Sequence, residues 1–192
     1  MRSAFEANAV VIVLLNEFSY GDFARSTGQL VLEDIKSLIS RLLKGEYGER
    51  ETLLVLEELG VYVNDGIEGL LNRSRSAGVK TIVSMQTTAD VDKVNPDLTR
   101  QIIGNCNDFM IMRVTDQDSA ETMAKLIGTE KGIQKTSRTS EGINTGESSN
   151  KLVDQFRISP NEIKNFPSNF GIYYTKNKPN EIKRFKTKFV RI

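Results

Sequence analysis

Leu53-Leu54-Val55-Leu56-Glu57-Glu58 is a run of four apolar residues that ends, without a spacer, in two acids. An uninterrupted apolar run bounded by charge reads as a strand buried on both faces of a parallel sheet, because a half-exposed strand would alternate. Open α/β sheets collect their ligands at the carboxyl edge of such strands. An acid at that edge can hold Mg²⁺, directly or through water, and a second acid beside it can polarise an attacking water. Many strands simply end in solvated charge, so the meaning of the two acids depends on what surrounds them.

Working outward, short apolar runs alternate with longer amphipathic segments. Upstream, Val10 to Leu15 is a second fully apolar run and predicts another buried strand. A turn rich in Gly, Ser and Asp follows it. A helical pattern then runs through Leu30, Ile35, Leu38, Ile39, Leu42 and Leu43, whose spacing places them on one stripe, and Gly45 is a natural stop. Downstream, a helix around Ile67, Leu70 and Leu71 ends at Gly78, and Thr81 to Met85 predicts a third strand ending at Gln86. Asn95-Pro96 opens a helix through Leu98, Ile102 and Ile103, Phe109 to Met112 predicts a fourth strand, and Asp116 to Ile127 a helix with an acidic start. Four strand-then-helix units in series predict an α/β fold: a mostly parallel sheet with helices on both faces and right-handed crossovers.

The size and composition agree with one such domain. The chain has 192 residues, 39% apolar and 27% charged, with a formal net charge of +1. These values exclude disordered and collagen-like chains. There is no His and only one Cys, Cys106. That removes Ser-His-Asp and Cys-His nucleophile systems, His-containing zinc or haem sites, and any internal disulfide. The longest apolar run is far short of the roughly 20 residues a membrane helix needs, so no membrane contact is expected from these residues.

Two polar segments follow the αβ core, which is read as residues 1–128. From Gly132 to Asn150, twelve of nineteen residues are Gly, Ser, Thr or Asn, which predicts a surface hairpin or loop over 129–150. Residues 151–192 are β-rich and basic: Phe170 to Tyr174 and Ile182 to Val190 read as a hairpin joined at Asn177-Lys178-Pro179-Asn180. From Lys176 onward the tail carries seven basic residues and one acid, a local +6 against −5 for the preceding 175 residues. A solvated strand face explains such a stripe, and so does a strip that meets phosphates.

Other side chains extend the chemistry of the two acids. Gln86, at the end of the next strand, can place its amide beside Glu58 and meet a γ-phosphate or water. Arg73 and Arg75 lie on the helix that leads into that strand, and an arginine lent by a neighbouring subunit can stabilise transition-state charge. No Gly-x-x-x-x-Gly-Lys-Ser/Thr loop occurs; in the nearest stretch, Gly128 to Thr136, the glycines are one residue too close and Lys135 is displaced. This chain alone is therefore not expected to turn over ATP or to bind it tightly.

The order and spacing of these segments resemble the conjugative coupling proteins of type IV secretion, the TraD/TraG-like motor ATPases related to FtsK and HerA. The resemblance runs through Val10 to Leu15, Tyr20 to Arg25, the Gly28 to Leu43 helix, Leu53 to Gly60, Leu70 to Val79 and Val83 to Thr87, then Ile102 to Cys106 and Thr115 to Thr122. It implies a RecA-like fold. It also implies Glu57 as the Walker B acid on the metal side, Glu58 as the acid that orients water, and Gln86 as the nucleotide-sensing amide. Arg75 would be the arginine finger, with Arg73 as the alternative. The family usually has Asp at the first acid, so Glu57 is a departure by one methylene.

On this resemblance the chain is the C-terminal part of a motor domain, a piece of a longer polypeptide whose Walker A half lies elsewhere. The complete protein would bind ATP and Mg²⁺ and form a homo-hexamer. It would grip DNA nonspecifically through phosphates and meet relaxosome and secretion components from the cytoplasmic side of the bacterial inner membrane. The polar 132–150 segment and the basic tail are the DNA-facing candidates. Two alternatives stand beside this reading: a non-catalytic partner or regulator of a related motor, and an unrelated α/β binding module.

Overall fold

The computed structural model describes residues 1–48, 50–140 and 143–188, with side chains throughout except at 134–140 and 143–150. The chain divides into two compact units, residues 1–107 and residues 108–192.

The first unit contains, in chain order, α1 (Arg2–Glu6), α2 (Glu17–Tyr20), α3 (Asp22–Leu43), β1 (Thr52–Leu56), a 3-10 turn (Leu59–Val61), α4 (Ile67–Ser76), β2 (Val79–Val83), α5 (Thr88–Asp92) and α6 (Leu98–Asn105). β1 and β2 pair in parallel, from Thr52 opposite Val79 to Leu56 opposite Val83, with α4 as the crossover. α4 can serve because Ile67, Leu70, Leu71 and Ser74 share its buried face. The Ser74 hydroxyl satisfies itself by donating to the Leu70 carbonyl at 2.7 Å. Leu32, Ile35 and Ile39 of α3 join Leu56, Leu59, Ile67, Leu70, Val91 and Leu98 in one core. Each such fully buried aliphatic side chain contributes about 1.5–3 kcal/mol of burial energy.

α3 approaches this core closely because of one residue. A Cβ on Gly28 would stand 2.6 Å from the Tyr62 Cβ and 2.9 Å from Leu15 Cδ1. Only hydrogen fits there, and the buried stripe of α3 is Ala24, Gly28, Leu32, Ile35 and Ile39. Leu30 and Leu43, expected on the stripe, are exposed, since the helix turns its Gly28 side inward.

Several expectations need correction. Val10 to Leu15 is not a strand: it pairs with nothing among the described residues, and Val10, Ile12 and Leu14 are strongly exposed. A buried strand needs a paired neighbour for its backbone and cover on both faces, and the described chain supplies neither. For the same reason β1 is covered on one face only: Leu53, Val55 and, opposite it on β2, Ile82 are exposed. The third strand lies at 79–83, two residues earlier than expected, and the fourth is not part of the parallel sheet at all.

That strand, β3 (Asp108–Met112), opens the second unit and is followed by α7 (Gln117–Ile127), β4 (Thr129–Ser140), β5 (Ile143–Phe156), α8 (Pro160–Lys164), β6 (Phe170–Thr175) and β7 (Ile182–Lys186). β3 pairs antiparallel with β6, and β6 with β7, so the predicted tail hairpin exists and carries β3 on its far edge. α7 starts where acids predict: Asp116 caps it by accepting from the Ser119 amide at 2.8 Å. The Gly/Ser/Thr/Asn-rich segment is a long antiparallel ribbon of β4 and β5, in register from Thr129 opposite Phe156 to Ser137 opposite Ser148 and shifted beyond it. Residues 141–142 of that segment, and Val190 and Arg191 of the tail, lie outside the described residues. Ile111, Ala124, Ile127, Ile158, Ile163, Phe166, Ile172 and Tyr174 form the core of this unit. Among the described residues, no helix is long and apolar enough to cross a membrane.

Candidate active site

At the carboxyl ends of β1 and β2 the two strands leave the sheet together. The Ser84 amide continues the ladder by donating to the Leu56 carbonyl at 2.9 Å, and the Leu59 amide returns the bond to the Ser84 carbonyl at 2.9 Å. Between them the chain reverses through Glu58, which has φ 52 and ψ 49. This left-handed conformation costs a residue with a Cβ roughly 1–2 kcal/mol, and strain of this kind is held only where its surroundings enforce it. Here the enforcement is visible. Leu59, next in sequence, is fully buried, the Glu58 amide donates to the Ser84 hydroxyl at 3.3 Å, and the Glu58 carbonyl accepts from Val61 at 3.0 Å. Gly60 then lets the turn press on α5, where a Cβ would come within 2.8 Å of the Asp90 Cβ.

The reversal separates the two acids. Both are exposed, but Glu58 lines a cavity of about 550 Å³ and Glu57 is not part of its wall. Glu57 contributes its backbone instead: the Tyr62 hydroxyl donates to the Glu57 carbonyl at 2.9 Å. Burial, and then the Glu57 charge, push the Tyr62 phenol above its ordinary range, so it stays neutral and donates.

Gln86 reaches the same cavity from β2. Met85 packs against the core and Thr87 caps α5, accepting from the Ala89 amide at 3.2 Å, so the residue between them is held at both sides. The Gln86 Nε2 donates to Glu58 Oε1 at 2.6 Å. The expected pairing of these two residues is therefore present, across 28 residues of sequence and at the edge where an α/β sheet binds ligands.

Arg73 and Arg75 are elsewhere. Both are exposed in the last turn of α4, neither lines the cavity, and among the described residues neither makes an ion pair. They flank buried Ser74, and residues two apart on a helix face different directions. One neighbouring site can therefore be served by only one of them.

The cavity also holds residues the sequence reading passes over: Arg25 and Glu17, from either side of the α2–α3 junction, with Asn64, Asp65, Asp90 and Lys93. Asp90 and Lys93 pair with each other at 2.7 Å. The available signal for Arg25 is a cation one turn into a helix that follows a Gly-Asp start, against the helix dipole. Among the described residues no group of three or more acids or Cys stands ready to hold a metal ion.

The basic tail is partly neutralised. Lys178 and Lys183 both approach Glu181, at 3.6 and 4.0 Å, Arg184 meets Glu162 at 3.2 Å, and Lys176 sits over the Phe109 ring. These contacts account for about half of the predicted stripe by ordinary surface pairing.

A family profile described as the TraM recognition site of TraD and TraG matches residues 51–168. No curated protein matches the chain. Among solved structures, the bacterial conjugative coupling protein TrwBdeltaN70 is similar over 82% of this chain, with a TM-score of 0.63 and 17% identity. The plasmid coupling protein TrwB in complex with ADP and Mg²⁺ matches with a TM-score of 0.58 and 18% identity. TrwB in complex with a non-hydrolysable ATP analogue matches with a TM-score of 0.60. The chain spans 35–37% of the length of these structures. At such identity the likeness concerns the fold alone, an α/β fold shared with part of the coupling protein TrwB.

Proposed function

The chain belongs to the family described as the TraM recognition site of TraD and TraG, and from that membership we propose that it is the hydrolysis-side part of a DNA-translocating ATPase serving conjugation. The observation that carries this reading is the Glu58–Gln86 hydrogen bond at the carboxyl edge of two adjacent parallel strands. A carboxylate held there accepts a hydrogen bond from the attacking water and aims it at the γ-phosphate of ATP. Gln86, bonded to the same carboxylate, aligns it and registers the phosphate. The left-handed turn at Glu58 keeps the acid in place before substrate arrives, so little reorganisation remains for the reaction itself.

Mg²⁺ fits this donor set as an ion that would be held mostly by the nucleotide's phosphates and water, with Glu58 as its protein-side carboxylate, since Glu57, which the sequence suggests for that place, is not on the cavity wall; Mg²⁺ commonly takes only one or two protein acids. When bound, it neutralises charge on the β- and γ-phosphates. Arg75, exposed and without an ion pair among the described residues, would act on a neighbouring subunit of a homo-hexameric ring, with Arg73 as the alternative.

Such a ring would thread DNA by phosphate contacts, with the basic tail as the contact strip, and would meet a relaxosome protein of the TraM type. Salt-sensitive, sequence-independent DNA binding is the corresponding property. The test of the piece-of-a-motor reading is the reading frame upstream of Val10. A Gly-Lys-Ser/Thr phosphate loop encoded there supports it. A complete natural polypeptide lacking any such loop sinks it and favours a non-catalytic partner of a related motor.

A further inference from the structure

We propose that Arg25 is a phosphate-contacting residue of the Glu58 cavity, and that Glu17 is the carboxylate that holds it until an oligophosphate displaces it. The inference rests on the nucleotide reading of that cavity and adds a cation, supplied by the same subunit, to a site otherwise described by an acid and an amide.

Two cations line the cavity, and they are in different states. Lys93 is committed, with Nζ 2.7 Å from the Asp90 carboxylate. Arg25 is not. Its guanidinium stands 3.7 Å from Glu17 Oε1 and 3.6 Å from Asp22 Oδ1, beyond hydrogen-bond reach of both, and it makes no hydrogen bond among the described residues. Its planar fork of N–H donors is thus available, and that fork matches phosphate oxygens in pairs.

The position is fixed although the guanidinium is held only by two long ion pairs. Ala24, beside it, is buried in the stripe of α3, and Gly28, one turn on, lets that helix seat against Tyr62. A cation one turn into a helix works against the helix dipole. Glu17 and Asp22 offset that cost at long range without consuming the donors. The surroundings also call for a specific cation: Glu17, Glu58, Asp65 and Asp90 outnumber Arg25 and Lys93 on the cavity wall. A polyanion is therefore not drawn in by the general field and must be met by a particular group.

The competing account is structural: Arg25 merely ties α2 to α3 through Glu17. Steady-state Mg-ATP hydrolysis by the longest natural polypeptide that contains these residues separates the two, with thermal melting of each variant as the check on folding. Arg25→Ala is expected to raise KM for ATP about tenfold with kcat falling less and the melting temperature unchanged. Arg25→Lys is expected to recover part of the loss, and Glu17→Gln, which removes the competing carboxylate, to lower KM. Should Arg25→Ala unfold the protein, Arg25→Lys and Glu17→Gln still read KM in folded protein, and opposite shifts in the two support the assignment. A wild-type KM in folded Arg25→Ala, or an unchanged KM in Glu17→Gln where Arg25→Ala does not fold, with Glu58→Gln abolishing turnover, overturns the role of Arg25 and leaves the nucleotide reading standing. Unchanged turnover in Glu58→Gln overturns the nucleotide reading, and the Arg25 assignment with it.

Discussion

Gln86 Nε2 donates to Glu58 Oε1 at 2.6 Å, joining the ends of two parallel strands through their side chains. The carboxylate keeps its second oxygen for water while the amide holds the first. Gln86→Ala removes that donor and leaves the acid to swing. Loss of one preorganised donor in a site of this kind costs on the order of 100-fold in kcat. Single-turnover ATP hydrolysis in the longest natural polypeptide should show that loss, with binding of a non-hydrolysable ATP analogue largely retained. A wild-type rate would mean that the pair has no catalytic role.

Arg75 is predicted to act in trans. Arg75→Ala and Glu58→Gln should each abolish hydrolysis alone, because an arginine finger contributes on the order of a thousandfold or more. Mixed rings should regain activity, since a subunit with intact Glu58 then meets a neighbour with intact Arg75. Absence of rescue in coassembled rings would contradict the assignment, and an active Arg75→Ala beside an inactive Arg73→Ala that mixed rings rescue would transfer the role to Arg73.

Gly28→Ala should destabilise the first unit. The new Cβ would lie 2.6 Å from the Tyr62 Cβ, which sits too close to the backbone to swing away. Overpacking of this kind costs about 1–3 kcal/mol, measurable as a lower urea midpoint. Gly45→Ala is no control, because φ there is positive; Gly69→Ala is the fair one, having nothing within 4 Å of its Cβ.

Tyr62 predicts an alkaline limb of stability. Its phenol is raised above the ordinary value, first by burial and second by the Glu57 charge. The folded state thus holds its proton more tightly than the unfolded chain. The associated stability is complete below the unfolded pKa of about 10 and is lost as pH rises from there through the folded value. Tyr62→Phe should cost about 1 kcal/mol at neutral pH through the lost bond to the Glu57 carbonyl. It should also flatten the decline above pH 10 in urea titrations; equal slopes for the two proteins would refute the linkage.

What could be read from the residues alone was whatever depends on local order. The apolar run ending in Glu57-Glu58, the acid-capped start of α7 and the Phe170–Tyr174 strand all carry their signal within a few residues. The pairing of Glu58 with Gln86 was legible because parallel neighbours end at one edge. Three features were not. Val10 to Leu15 has the composition of a buried strand, but burial is a property of partners, and none stands beside it among the described residues. The antiparallel seat of β3 depends on β6, some sixty residues later. The left-handed turn at Glu58 has no compositional mark, because a glutamate is neither the glycine nor the asparagine that usually announces one. That turn also explains why adjacent acids diverge, Glu58 onto the cavity wall and Glu57 away from it.

Glu58→Gln is the sharpest probe of the proposed role of Glu58 as the hydrolytic acid of a DNA-translocating ATPase. The substitution keeps the size of the side chain and removes its charge. In the longest natural polypeptide containing these residues, DNA-stimulated ATP hydrolysis is the quantity to measure, beside thermal melting and ATP-analogue binding. Turnover is expected to be abolished while melting and binding stay at wild-type values. Turnover at the wild-type rate in a folded Glu58→Gln variant would contradict it.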